Sequence, residues 1–433
     1  MRGICTVFEV ALVVLITPNV QGESIPPNKA LRAKAANKKR KTPKNSRGYK
    51  GNKTSKYPVQ LGPRPYFVVD SMEESSLKDS LMKCAKDVGK FEKSDWSIGH
   101  RGAPMQFPEH TLESYRAALI MGAGIVECDV TFTKDRELIC RHDQCDLHTT
   151  TDVVTRPELH DKCKVKFIPG GSPPVCCSSD FTLAEVKTLC AKMDASFSGA
   201  KTAEEYIGGV ADYRTTMYSE ECSKVPTHKE SIELIMEWGA KFTPELKTPQ
   251  VDMPFEGDYS QEDFAQQMID EYIAYDIDPS AVWPQSFLWG DVIYWQSTDY
   301  GEQAVALEGT YDAYNYDQET FNNHVKDIVE AGVNILAPPM WMLLDLSDDS
   351  MMVASAYAEH AKGNELDIIT WTLERSGSLT TGGGWYYQSV TNATNADGDQ
   401  FELLNALHSE VGILGIFSDW PATTTFFANC MSL

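Results

Sequence analysis

The chain has 433 residues, 42% of them hydrophobic, and 39 Lys and Arg stand against 62 Asp and Glu for a formal charge of −23 at pH 7. That is apolar material enough for one large decorated domain or two, and too acidic a body for a protein that grips RNA or DNA. The charge is segregated: residues 28–56 hold twelve Lys or Arg and no acidic residue, whereas beyond them 26 basic residues face 60 acidic ones.

The first 22 residues read as a secretory signal, with Arg2, a mostly apolar run over 7–16 and small residues near Val20-Gln21-Gly22. Glu9 interrupts the run, and an uncleaved signal anchor is the competing reading, although the run is short for a span. Residues 23–65, which contain the basic run, read as a disordered linker. A nucleic-acid or anionic-membrane patch is the alternative, but a single aromatic residue in the run, Tyr49, gives no aromatic interleaving for base stacking. Residues 66–433 then form the folded domain, and no segment in it is apolar for long enough to cross a bilayer.

Eleven cysteines are present; with Cys5 in the signal, ten remain. Six of them (Cys145, Cys163, Cys176, Cys177, Cys190, Cys222) fall between His142 and Thr227, in an insertion spanning about 143–225. In an oxidising compartment they would staple a loop-rich excursion, and the absence of paired Cys-x-x-Cys spacings argues against zinc. Asn52-Lys53-Thr54 and Asn392-Ala393-Thr394 are glycosylation sequons. Export to the cell surface, a periplasm-like space, a vacuole or the medium is the expected location.

In chain order, 66–69 and an amphipathic stretch over 73–92 form a lead-in, and 95–99 reads as the first strand. A helix over 111–121 follows, ended by Gly122. Residues 125–131 and 137–141 are rich in strand formers, and the insertion contains a helix over 183–193 introduced by Thr182. Beyond it, helices are expected over 231–238, 263–275, 351–362 and 401–408. Strands are expected over 241–246, 281–285, 304–307, 334–337, 368–373 and 415–417. Such alternation points to a parallel α/β architecture, barrel or open sheet.

Chemistry concentrates early. Glu127 and Asp129 lie two apart in a strand pattern, so both project to one face while Cys128 faces the other way. Two acids on one face of an apolar strand suit a shared cation, since unpaired buried charges cost several kcal/mol. Glu245 and Lys247 repeat the spacing. Three carboxylates with no cysteine or histidine expected beside them suit a hard ion, one Mg2+ or Ca2+. His100 and His142 can move protons across a bound phosphate, and the Arg101 guanidinium fork suits two phosphate oxygens.

These residues fall in blocks that resemble the glycerophosphodiester phosphodiesterases. The blocks are Gly99-His100-Arg101-Gly102, Pro108-Glu109-His110-Thr111-Leu112-Glu113-Ser114, Glu127-Cys128-Asp129-Val130, Thr133-Lys134-Asp135 and His142-Asp143. Further along come Phe242-Thr243-Pro244-Glu245-Leu246-Lys247, Gln285-Ser286-Phe287, Trp371-Thr372-Leu373 and Gly412-Ile413-Leu414-Gly415-Ile416-Phe417-Ser418-Asp419-Trp420-Pro421. They run in family order over roughly 95–425.

The resemblance implies a (β/α)8 TIM barrel with a cysteine-rich insertion. It implies metal-dependent hydrolysis of small glycerophosphodiesters, such as glycerophosphocholine, to sn-glycerol 3-phosphate and an alcohol. By the same resemblance His100 and His142 are the acid/base pair and Glu127, Asp129 and Glu245 hold the metal. Arg101 and Lys247 bind the phosphate, and Phe287 and Trp371 wall the glycerol pocket. His110 and Glu374 stand where the family often has asparagine, outside the expected metal set. Two rival functions share the barrel: a phospholipase of the sphingomyelinase D or phosphatidylinositol phospholipase C type, and a non-catalytic secreted binding protein. The phospholipase would need an apolar rim, for which Tyr294-Trp295, Trp341-Met342 and Trp385-Tyr386-Tyr387 are candidates. The acidic body disfavours docking on anionic lipid, and neither a nucleic-acid partner nor stable membrane insertion is expected.

Overall fold

The computed structural model describes residues 57–86, 91–214 and 222–433. The expected signal, most of the expected linker and the Asn52 sequon lie outside the described residues. Asn392, in the second sequon, is exposed.

Eleven strands are described: β1 (Ser94–Gly99), β2 (Ala123–Phe132), β3 (Leu138–Cys140), β4 (Lys241–Leu246), β5 (Gln285–Ser286), β6 (Val305–Leu307), β7 (Ile335–Ala337), β8 (Leu344–Leu346), β9 (Met352–Ala354), β10 (Asp367–Leu373) and β11 (Gly415–Ser418). Eight are parallel and close on themselves in the order β1-β2-β4-β5-β6-β7-β10-β11, with β11 pairing back to β1. Helices connect them on the outside, so the architecture is the expected TIM barrel. Inside, Ile98, Ile125, Val305, Leu307, Ile335, Ala337, Ile369 and Phe417 form a buried plug. A larger apolar layer lies between the strands and the helices. The strands read as continuous apolar runs because both of their faces are covered.

Several elements follow directly from local chemistry. Helix Leu112–Ile120 is capped by Thr111, whose side chain accepts from the Ser114 N–H, and the chain leaves it through Gly122 at φ 91°. Helix His228–Glu237 begins with a capping box between Thr227 and Glu230. The lead-in becomes two helices, Arg64–Asp70 and Ser76–Ala85, and disulfide Cys84–Cys430 joins the second to the last helix, Pro421–Met431.

Among the described residues all ten cysteines are paired. Three disulfides, Cys145–Cys177, Cys163–Cys176 and Cys190–Cys222, lie wholly within the insertion, which has its own small apolar core. Cys128 does face away from Glu127 and Asp129, and it bonds Cys140 across the β2–β3 hairpin.

Three expectations need correction. The helix expected over 183–193 is a single turn, Leu183–Val186; beyond it Cys190 is claimed by Cys222, and Ala191 bridges to Thr151 and Ser223. The start of the helix expected over 351–362 is β9, paired antiparallel with β8, and the helix covers only Ala356–Gly363 behind its Ser355 cap. The segment expected as strand 281–285 enters through a short 3-10 turn, leaving β5 only two residues long.

Candidate active site

The strand register assembles the site. Gly99 pairs with Ser418, so His100 and Asp419 leave neighbouring barrel strands side by side, and the His100 N–H donates to the Ser418 carbonyl at 3.1 Å. Asp129 is level with Glu245, and Glu245 with Gln285, across β2, β4 and β5. Catalytic groups of TIM barrels gather at this carboxyl end of the strands.

A tight turn follows β1. Arg101 has φ 54° and Gly102 φ 90°, and a Cβ on Gly102 would lie 2.4 Å from the Ser114 hydroxyl oxygen. Only glycine fits there without moving the helix that follows. The turn aims the Arg101 N–H at Glu127 Oε2 (2.9 Å) and its guanidinium at Glu109 Oε1 (3.0 Å), with Nε 3.7 Å from Asp129 Oδ2. Arg141, wholly buried, fastens the same loop by donating through Nη2 to the carbonyls of Glu109 and His110, each at 2.9 Å.

Glu127, Asp129 and Glu245 converge: one oxygen from each lies within 4.8 Å of the others, and all three residues are buried. Burial, then the neighbouring charges of Asp129 and Glu245, push Glu127 well above the usual carboxylate range. Burial and Asp129 likewise push Glu245 up to about 7 against the pull of Lys247. Asp129 goes the other way; burial would raise it, but His110 and Lys247 hold it below its ordinary value. Three acids this close repel one another, and a cation among them removes that repulsion. Asp129 Oδ1 is buried without a hydrogen-bond donor, as expected of an oxygen shaped for an ion. An all-carboxylate donor set fits a hard cation better than zinc.

Contrary to expectation, histidines do stand beside these acids. His110 Nε2 is 2.7 Å from Asp129 Oδ2, its Nδ1 is 2.9 Å from the Tyr115 hydroxyl, and the ring is fully buried. With Asp129 ionised, Nε2–H is the donor and Nδ1 accepts from Tyr115. His110 therefore supports the carboxylate cluster directly and does not lie outside it. His100 Nε2 is 3.8 Å from Glu127 Oε2. Gln285 donates to Glu127 Oε1 at 2.9 Å.

His100 Nδ1 sits 2.5 Å from Asp419 Oδ1. Burial would push Asp419 up, but Arg375 and His100 hold it down at about 2, so the carboxylate accepts and Nδ1 carries the proton. His100 itself falls to about 4, burial outweighing Asp419, which leaves Nε2 with a free lone pair at neutral pH. His142, just past β3, is only partly covered. Desolvation and then the cationic Arg101, Lys247 and Arg375 drive its pKa well below that of a free imidazole. Lys247 Nζ lies 2.6 Å from Glu245 Oε1 and 5.9 Å from the centre of the Phe287 ring, which meets Trp371 edge-on at 6.0 Å.

All nine residues singled out in the sequence thus belong to one neighbourhood. Glu109, His110, Gln285, Arg375 and Asp419 were not singled out for the site and also form part of it. Glu109, His110, Gln285 and Asp419 lay inside quoted blocks, but no spacing rule gives an isolated acid or amide its partner. Glu374 points elsewhere, onto Arg64 (3.2 Å) and the hydroxyls of Ser418 and Thr423.

Comparison with known proteins agrees with this fold. An extracellular protein of Arthroderma benhamiae is 40% identical over 246 residues, covering 56% of this chain and 100% of that one. A glycerophosphodiester phosphodiesterase of Haemophilus influenzae is 25% identical over 394 residues, 82% of this chain and 93% of that one. The crystal structure of a protein from Silicibacter pomeroyi, assigned by its description to the glycerophosphoryl diester phosphodiesterases, shares the fold, with a TM-score of 0.52 at 17% identity over 82% of this chain and 98% of that one. The family model for the glycerophosphoryl diester phosphodiesterase family matches residues 100–422, most of the chain and all of the site, and the chain belongs to that family of enzymes.

Proposed function

We propose that this protein is an exported hydrolase of small glycerophosphodiesters, glycerophosphocholine among them, releasing sn-glycerol 3-phosphate and an alcohol. The observation that carries the reading is the meeting of a carboxylate-oriented neutral imidazole, a second imidazole, two side-chain cations and three clustered acids at one barrel end. Glu127, Asp129 and Glu245 would hold one divalent cation, Mg2+ or Ca2+, which when bound supplies positive charge to polarise the phosphoryl oxygens. Arg101 and Lys247 bind the phosphate and stabilise the charge that builds on it. His100, its Nδ1–H fixed on Asp419, takes at Nε2 the proton of the attacking oxygen, either water or the glycerol 2-hydroxyl, whose cyclic phosphate product water then opens to glycerol phosphate. His142, whose proton is favoured once an anionic phosphate offsets the surrounding cations, gives one to the leaving alcohol oxygen.

Aromatic side chains support a choline-like head group. Trp371 stacks on Trp385 at 6.0 Å, and Trp385 meets Tyr311 at 5.4 Å. Trp385 and Tyr311 are about two-fifths exposed, at 40% and 43%. Open ring faces next to the phosphate residues attract a quaternary ammonium by cation–π interaction, worth about 1–2 kcal/mol. The same exposed rings favour one alternative, a barrel phospholipase that reaches membrane lipid through them. Five disulfides and likeness to an extracellular protein support export. No helix among the described residues is long and apolar enough to cross a membrane.

The test is hydrolysis of glycerophosphocholine, glycerophosphoglycerol and sphingomyelin vesicles by the purified protein. Cleavage of the soluble diesters, with Trp385→Ala raising KM several-fold for the choline ester alone, supports the proposal. Cleavage confined to vesicles supports the phospholipase.

A further inference from the structure

We propose that Arg375 is the positioning residue that locks the proton-transfer histidine and the phosphate-binding arginine into one rigid unit. The inference rests on the reading above for its kinetic assay and goes beyond it in assigning this residue. Arg375 follows β10, between the Glu374 anchor and the loop carrying Trp385. Its Nη1 donates to both oxygens of Asp419, at 3.2 and 2.9 Å, and its Nη2 to Glu109 Oε2 at 3.2 Å. Each carboxylate also holds a working residue. Asp419 Oδ1 takes the His100 Nδ1–H at 2.5 Å, and Glu109 Oε1 takes Arg101 Nη1 at 3.0 Å. The result is an unbroken chain, His100–Asp419–Arg375–Glu109–Arg101, that crosses three loops, after β1, β10 and β11.

The chemistry requires an arginine. Asp419 and Glu109 are 0% and 2% exposed, so either one left unpaired would be a buried charge in search of another partner. A planar guanidinium satisfies two acceptors at fixed angles, whereas a lysine ammonium on a flexible stem cannot hold both in register. Among the described residues Arg214, from the insertion, is the other side-chain guanidinium near Asp419, but at 3.9 Å it is beyond hydrogen-bonding distance. Asp419 therefore depends on Arg375 for its second hydrogen-bonded anchor.

The full chain with Arg375→Met or Arg375→Lys tests this, assayed on glycerophosphocholine with thermal melting in parallel. Arg375→Met is expected to lower kcat by about a hundredfold through loss of orientation and to raise KM several-fold. Arg375→Lys is expected to recover part of one parameter and not both. In an Asp419→Asn, Glu109→Gln background the further loss from Arg375→Met should shrink to within about twofold, because the residue acts through those carboxylates. A second readout needs no substrate. The downfield Nδ1 proton of His100, identified by its absence in His100→Ala, should broaden or vanish in Arg375→Met and persist in Arg375→Lys. Wild-type kinetics with an unchanged His100 resonance would overturn the proposal, as would an equal loss in both backgrounds with only the melting temperature lowered. If the wild-type protein cleaves no glycerophosphodiester, the functional reading fails while the His100 resonance still decides the role of Arg375.

Discussion

The Asp419 carboxylate shows how single residues here are set by competing terms. Burial favours its neutral form, yet Arg375 and His100 bring it down to about 2 from an ordinary 3.8. A depressed acid contributes stability above its unfolded pKa and loses it as pH falls through the folded one, which confines the effect to the window between about 4 and 2. Asp419→Asn should therefore melt lower than wild type at neutral pH, by the equivalent of about 2 kcal/mol, and the gap should close across that window. Thermal melts of both proteins as a function of pH check this. Glu127 and Glu245 are shifted the opposite way, by burial and the repulsion of neighbouring carboxylates, and a divalent cation bound among them would reverse that balance. Asp129→Asn should weaken Mg2+ or Ca2+ binding at least tenfold by calorimetry, with little loss of fold. Glu127 and Asp129 were legible as a pair because strand alternation is strict. His110 was not legible as their support, since a turn residue at φ 51° reaches from the loop after β1 to Asp129 on the neighbouring strand in a direction that no periodicity encodes.

At the scale of elements, the turn after β1 and the β2–β3 hairpin hold the working groups. Gly102→Ala puts a methyl group into Ser114 at a left-handed φ, so it should destabilise the fold by at least 1–2 kcal/mol and lower activity together with stability. Chemical denaturation beside kcat per folded molecule separates the two effects. The Cys128–Cys140 bond ties the strand bearing Glu127 and Asp129 to the segment that leads into His142. Elements whose pattern is local were readable: β1, β4, β10, β11 and the Thr111-capped helix fall within a residue or two of expectation. Those decided by tertiary pairing were not. The insertion helix stops where a disulfide and bridging pairs take over, and β9 exists only because β8 lies beside it. Helix Gln318–Ala331 was passed over although Asp317 caps it and Gly332 ends it.

Over the whole molecule, barrel closure turns a list of separated motifs into one site. His100 and Asp419 are 319 residues apart in sequence, and the pairing of the first strand with the last makes them neighbours. The Cys84–Cys430 disulfide fastens the lead-in helices to the closing helix at a distance from the chemistry. Its removal by Cys84→Ser with Cys430→Ser should lower the melting temperature, consistent with about 2–5 kcal/mol for a native disulfide, and leave kcat unchanged. The family was readable in the sequence because its blocks keep their order, while the closed barrel itself needed that resemblance, since apolar runs do not distinguish it from an open sheet. The central claim is that the clustered acids and the two histidines form a single phosphodiesterase centre. The most direct test is release of glycerol 3-phosphate from glycerophosphocholine with Mg2+, with Ca2+ and with chelator, wild type beside His142→Ala. Release should depend on the metal, stop with chelator and fall by at least a hundredfold, about the worth of one acid/base group, in the substituted protein. Release that persists in chelator, or in His142→Ala at the wild-type rate, would contradict it.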